Sequence, residues 1–209
     1  MRENGAADVD VREAMWGAGV GAFRKEHAEI LPEDRSRLHK SLLGNVSQAA
    51  TATSELKTDV KGYPATMAFS CYVPDYATRE GDVLTLTVPA FTERLFPLTG
   101  STRTTPLGIV AEADDETIVR VTFPAGFTQI EHLPEAFQLC DPATGAVWCE
   151  NKVTTSTAAD GALVVTLTRM TPRRVRSQLD STYFQLLKDW TRLGASRANR
   201  TISVRRVAK

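Results

Sequence analysis

Three cysteines and three histidines are the residues of this 209-residue chain best suited to nucleophilic or acid–base chemistry. Cys71 lies in a stretch where Met67, Phe69 and Val73 point the same way, so its thiol is expected to behave as a small buried hydrophobe with a raised pKa. A reactive thiol wants a helix N-terminus or a histidine beside it, and the local sequence offers neither. Cys140 and Cys149 flank a turn. A two-residue turn at Thr144-Gly145 would set them opposite each other, in reach of a disulfide. A loop from Asp141 to Gly145 would set Cys149 opposite Phe137 and leave free thiols. His27 and His39 fall on two predicted helices among charged neighbours, which reads as solvated polar faces, and His132 falls at a strand end before Leu133-Pro134. Triads assemble in space, so a hydrolase built on Cys71 or Cys140 is one reading. The chain shows no P-loop, dinucleotide fingerprint, Gly-x-Ser-x-Gly elbow or zincin motif, and it assigns no catalytic residue, metal ligand or cofactor.

Aromatic residues suggest binding instead. Tyr72, Tyr76 and Trp148, with Tyr63 and Trp16, could line a face that recognises cell-wall peptide or glycan, because rings stack on apolar sugar faces. Core packing and turn anchoring are the plainer use of the same residues. Lys plus Arg equals Asp plus Glu at 25 each, which argues against a general nucleic-acid partner. Residues 171–209 nevertheless hold ten basic residues against Asp180 and Asp189, leaving the first 170 residues acidic by the same margin. Without interleaved aromatics this reads as a basic segment packed beside an acidic body rather than an RNA-binding tail. No apolar run approaches the roughly 20 residues of a membrane span, and Met1 to Val11 contains no leader-like apolar stretch.

The elements that must position these groups follow from periodicity. Val9 and Val11 mark a strand over 8–15, and residues 21–30 and 32–43 read as two helices. Pro32, Glu33 and Asp34 suit a helix start, Leu38, Leu42 and Leu43 give it a stripe, and Gly44-Asn45 is expected to stop it. Period-two alternation marks strands at 65–73 and 82–88. Further strands follow at 107–112, 117–123, 127–130, 137–140 and 146–155, and from Leu163 onward. Asp180 caps a helix whose stripe is Tyr183, Leu186, Leu187, Trp190 and Leu193, and Thr201 to Val207 closes the chain as a strand. The expected fold is α+β, mainly antiparallel β. A helix pair on a sheet (1–90) is followed by a connector (91–106) and a β-sandwich-like domain with a C-terminal helix (107–209).

This order of elements resembles the C-terminal region of bacterial transglutaminase-like cysteine proteases, which is a domain of unknown function. The resemblance is carried by Asn4-Gly5-Ala6-Ala7-Asp8-Val9, Gly17 followed by Arg24, and the helix from Arg35 to Leu43. Later come Arg103-Thr104-Thr105-Pro106-Leu107, Phe123-Pro124-Ala125-Gly126-Phe127, Leu133-Pro134, Leu167-Thr168-Arg169, Tyr183, and Val204 to Lys209. It covers nearly all of the chain. Such proteins hold their catalytic Cys, His and Asp in a central core, and nothing here matches the Gly-x-Cys helix start that presents that cysteine. The resemblance therefore implies a non-catalytic accessory region cut from a larger protein, whose partner is the upstream core of the same polypeptide. It also implies a location in the bacterial cell envelope, periplasmic or exported.

Overall fold

The computed structural model describes residues 1–17, 19–88, 98, 100, 102–111, 114–172, 174–179, 181 and 183–207, with the backbone alone at 107–111 and 174–179. Chain contacts divide it into two compact units, Met1–Thr78 and Arg79–Lys209. Most of the expected connector, Glu112 and the expected cap Asp180 lie outside the described residues. The α+β, mainly antiparallel architecture with a C-terminal helix is present.

The first unit is built on strict alternation. It runs β1 (Ala7–Met15), α1 (Gly19–His27), α2 (Pro32–Val46), β2 (Thr51–Ala52), β3 (Lys57–Asp59) and β4 (Ala65–Val73). In β4 every odd-numbered residue from Ala65 to Val73 is buried and every even one is half-buried, the signature of a sheet with one covered face. β1 pairs antiparallel along its whole length, from Ala7 opposite Val73 to Met15 opposite Ala65, and β2 and β3 pair the other edge of β4. Val20 and Phe23 of α1 join Met67, Phe69, Cys71 and Leu56 in the core, while Leu38, Leu42, Leu43 and Val46 of α2 pack against it half-buried. Pro32 sits in the first turn of α2 as expected. The helix does not stop at Gly44-Asn45: it continues to Val46, and the Ser47 N–H donates to the Leu43 carbonyl. Burial of Val46 against the core outweighs the local preference for a stop at glycine.

The opening turn is closed by Gly5. Its φ is +89°, and a Cβ there would overlap the Ala77 carbonyl oxygen. The Gly5 carbonyl in turn accepts the Ala77 N–H at 2.8 Å. This position admits only glycine.

The boundary falls within β5 (Ala77–Glu80), and the second unit goes on with β6 (Val83–Thr87), then β7 (Leu107–Ala111), β8 (Asp115–Thr122) and β9 (Phe127–His132). Next come β10 (Phe137–Cys140), β11 (Val147–Thr157), β12 (Leu163–Thr171), β13 (Arg174–Leu179), α3 (Tyr183–Ala195) and β14 (Thr201–Arg206). Among the described residues its sheets have the orders β5-β6-β14-β9, β10-β11-β12-β8 and β13-β7. Residues 83–87, read above as part of the N-terminal region, pair with the terminal strand through Leu86 opposite Ile202 and Leu84 opposite Val204. A pairing across more than a hundred residues leaves no local pattern to read. Val165 and Leu167 on β12 face Val121 and Val119 on β8, and α3 buries Phe184 and Leu187. The described part of the basic C-terminal segment is tied into this unit: Arg205 pairs with Glu131 at 2.6 Å and Arg206 lies over the Phe127 ring. No helix among the described residues is long and apolar enough to cross a membrane.

Candidate functional site

The cysteines take the places their local pattern predicts, with one correction of register. Cys71 is buried in the first core, and burial, with a smaller contribution from Asp10, pushes its pKa up. All three cysteines are free thiols. The connection between β10 and β11 is the longer loop: Gly145 N–H donates to the Asp141 carbonyl, and the Asp141 side chain accepts from the N–H groups of Ala143 and Thr144. Cys149 nonetheless faces Leu139 rather than Phe137: the connection runs one residue past Gly145, so Cys140 pairs with Val147, and the register then shifts by one more between Leu139 and Cys140.

The histidines correct the expectation more sharply. His27 is not on a solvated face. It is 8% exposed and stacked on Phe23 at 4.2 Å, with Nδ1 2.9 Å from the Phe23 carbonyl. His39 is half-buried, edge-on to Phe69, with Nε2 buried and lacking a hydrogen-bond partner. His132 ends β9 and places Nε2 2.7 Å from the Ala198 carbonyl.

The expected aromatic face divides. Trp148 is 2% exposed and meets Trp190 edge-on at 5.8 Å within the core of Leu139, Cys149 and Leu187, so it offers no ring to a ligand. Tyr76 packs against the first core, and burial raises its pKa. Tyr72 is half-buried beneath the Arg2 guanidinium, 4.9 Å from its ring centre. Tyr63 and Trp16 are the exposed members of the group, and the Tyr63 hydroxyl accepts the Gly17 N–H at 3.1 Å.

What the structure does assemble is a cleft of about 270 Å³ in the first unit, lined by Glu13 and Met15 of β1, Phe23, Glu26 and His27 of α1, Leu38 of α2 and Met67 of β4. Its origin is legible in the strands. Val9, Val11, Glu13 and Met15 share the face of β1 that meets the helices, so Glu13 occupies a register position otherwise given to apolar residues, opposite Met67. The helices leave that corner open and the carboxylate stays exposed. Glu13 and Glu26 did not stand out in the sequence. Two signals were there: a carboxylate in the alternation of β1, and the Val20–Phe23–His27 spacing, which puts His27 on the buried stripe of α1. Among the described residues no group of three His, Cys, Asp or Glu side chains converges closely enough to hold a metal ion.

No family model matches the chain, and it matches neither a curated protein nor a solved structure.

Proposed function

We propose that the chain is a non-catalytic accessory region that packs on, or assists, a transglutaminase-like catalytic core belonging to the same, longer polypeptide. The observation that supports this reading is how its nucleophiles and bases are employed. Cys71 and Cys149 fill cores, and the Nδ1 of His27 and the Nε2 of His132 are each spent on a backbone carbonyl. A thiol working with a general base needs the two within hydrogen-bond reach of each other and of substrate. These side chains have structural duties instead. The sequence resemblance supplies the nature of the partner and the envelope location. An interdomain surface of this kind is modest in area and fairly polar, so it requires no large apolar patch. The competing platform of Tyr72, Tyr76 and Trp148 loses its tryptophan to the core of the second unit.

The test is the mass of the native polypeptide in its own cells, detected with an antibody raised against this chain. A species far above 22.9 kDa whose remaining sequence holds a Cys/His/Asp core is the expected result. A species near 22.9 kDa would remove the accessory reading.

A further inference from the structure

We propose that the free edge of β1 pairs antiparallel with β1 of a second copy of this chain, about a two-fold axis at Val11. The inference stands on the first unit alone and does not need the chain to belong to a larger protein.

β1 is the outer strand of its sheet, and β4 occupies one of its two edges. The backbone groups that face the other edge are identified through Ser70, the residue opposite Asp10. The Ser70 N–H donates to Ser54 Oγ at 2.8 Å, and its carbonyl accepts the Thr53 N–H at 2.9 Å, so both point away from β1. Asp10 and Ser70 therefore exchange no backbone bonds, and such pairs alternate along an antiparallel ladder. The N–H and C=O groups of Asp8, Asp10, Arg12 and Ala14 then all face the free edge. Among the described residues none of them has a hydrogen-bond partner. β1 has nine residues, the longest edge strand among the described sheets, and no proline, glycine or bulge interrupts it. Shortness, proline and bulges are what usually blunt an edge, so the protection left to β1 is charge.

That charge is complementary to itself. Asp8, Asp10 and Arg12 are exposed on the sheet face away from the helices. Arg12 meets no carboxylate among the described residues, and Asp10 accepts the Ser70 hydroxyl through Oδ1 alone. Pairing must set odd positions opposite odd ones, or the helix-side residues of the two copies would fall on different faces. With the axis at Val11, Asp10 opposes Arg12 of the second copy, and the symmetry repeats that ion pair. Asp8 then opposes Ala14, and on the helix side Glu13 opposes Val9. A slip of two residues sets Asp10 against Asp10 in one direction and Arg12 against Arg12 in the other. Like charges directly opposite are unfavourable, so one register stands out. The residues it opposes through Asp10 and Arg12 are also those whose backbone groups face the edge, so they exchange both N–H···O bonds.

Sedimentation velocity and amide hydrogen exchange on the intact chain at rising concentration test this. The expected species is a dimer in which the amides of Asp8, Asp10, Arg12 and Ala14 exchange at least about tenfold more slowly than in dilute samples. The amides of Val9, Val11 and Glu13 already bond β4 and should change little. Arg12→Asp sets carboxylates opposite each other, and Asp10→Arg does the same with guanidiniums. Each variant alone should associate roughly tenfold more weakly. Mixing the two restores opposite charges at both positions, so a heterodimer about as tight as the parent dimer should form, and its formation shows that both variants are folded. The proposal is overturned by a dimer without the alternate-residue protection, or by a mixture that associates no better than either variant alone. A chain that stays monomeric at every concentration also overturns it, and leaves the edge to a strand of a different protein.

Discussion

Both units cover an antiparallel sheet with helix, but they finish the job differently. In the second unit α3 presses Leu187, with no exposed surface, and Phe184 inward, and Trp190 closes edge-on over Trp148. In the first unit the longer helix, α2, has no fully buried residue. Leu38, Leu42, Leu43 and Val46 are only half-covered, and a cleft remains where Glu13 occupies an inward position of β1. An aromatic pair can seal a sheet with one helix. A pair of helices, one short and inserting Val20 and Phe23, the other carrying a leucine stripe that stays half-buried, does not when set against a strand that breaks its own alternation with a carboxylate. The difference is one of side-chain volume and of a single polar residue in register, not of secondary structure.

The largest effect should come from the sealed side. Leu187→Ala removes a fully buried side chain from a closed core and is expected to cost about 2–5 kcal/mol, transfer and cavity combined. Urea unfolding followed by tryptophan fluorescence reads this unit selectively, because Trp148 and Trp190 belong to its core whereas Trp16 is 60% exposed. The matching truncation on the open side, Leu38→Ala, should cost about 1 kcal/mol, since a half-buried side chain bordering a cleft leaves no closed void. Unfolding read through the Met15 and Met67 methyl signals measures it. Equal losses at the two leucines would erase the contrast drawn here.

How far the sequence carried these features depends on the range of the interaction behind each. The alternation of Ala65–Val73 is strictly local, and the strand occupies those nine residues. Pro32 and the acids after it likewise mark a helix start that the structure shares. Where a tertiary contact competes with a local signal, the local signal loses: α2 runs past Gly44 because Val46 has a core to meet. The pairing of residues 83–87 with 201–205 joins segments that share no local pattern. The longer connection and the bulge at Leu139/Cys140 each shift a register by one, together enough to put Cys149 opposite Leu139. The cleft was the least legible, because it depends on what two helices fail to cover. Charged neighbours made His27 look solvated, although its spacing from Val20 and Phe23 belongs to the buried stripe.

The thiols allow the contrast to be measured without large perturbations. Cys140 is half-exposed, whereas Cys71 and Cys149 are buried, one in each unit. A mild alkylating reagent at neutral pH should modify Cys140 first, with the buried pair at least about a hundredfold slower because they must wait for their cores to open. Burial also holds the Cys71 thiol protonated. In low denaturant Cys71 should react ahead of Cys149, as the less completely covered core opens first. Mass spectrometry of quenched samples gives the order directly, and the reverse order would mean that the cleft does not weaken the first unit.

The smallest effect is electrostatic and lies on the exposed face of the first unit. Arg2 grips Asp8 with two contacts, Nε at 3.0 Å from Oδ2 and Nη2 at 2.8 Å from Oδ1, while its guanidinium covers Tyr72. The Arg2 hydrogen bond, with its charge adding to it, holds the Asp8 carboxyl below its ordinary pKa. A carboxyl depressed on folding contributes stability above its unfolded pKa of roughly 4, and that contribution is lost as pH falls through the lower folded value. Arg2→Ala should therefore raise the Asp8 titration midpoint, measured by carboxyl NMR, and lower the melting temperature slightly at pH 7. The melting difference from the parent should vanish at the acid end. Arg2→Lys keeps the charge but cannot make the two-pronged contact, so its Asp8 midpoint should fall between the other two. Added salt should shrink all these differences, because both partners face solvent. A midpoint in the lysine variant equal to that of the parent would reduce the contact to simple charge attraction. The opening turn would then be held chiefly by Gly5 and Ala77, backbone to backbone.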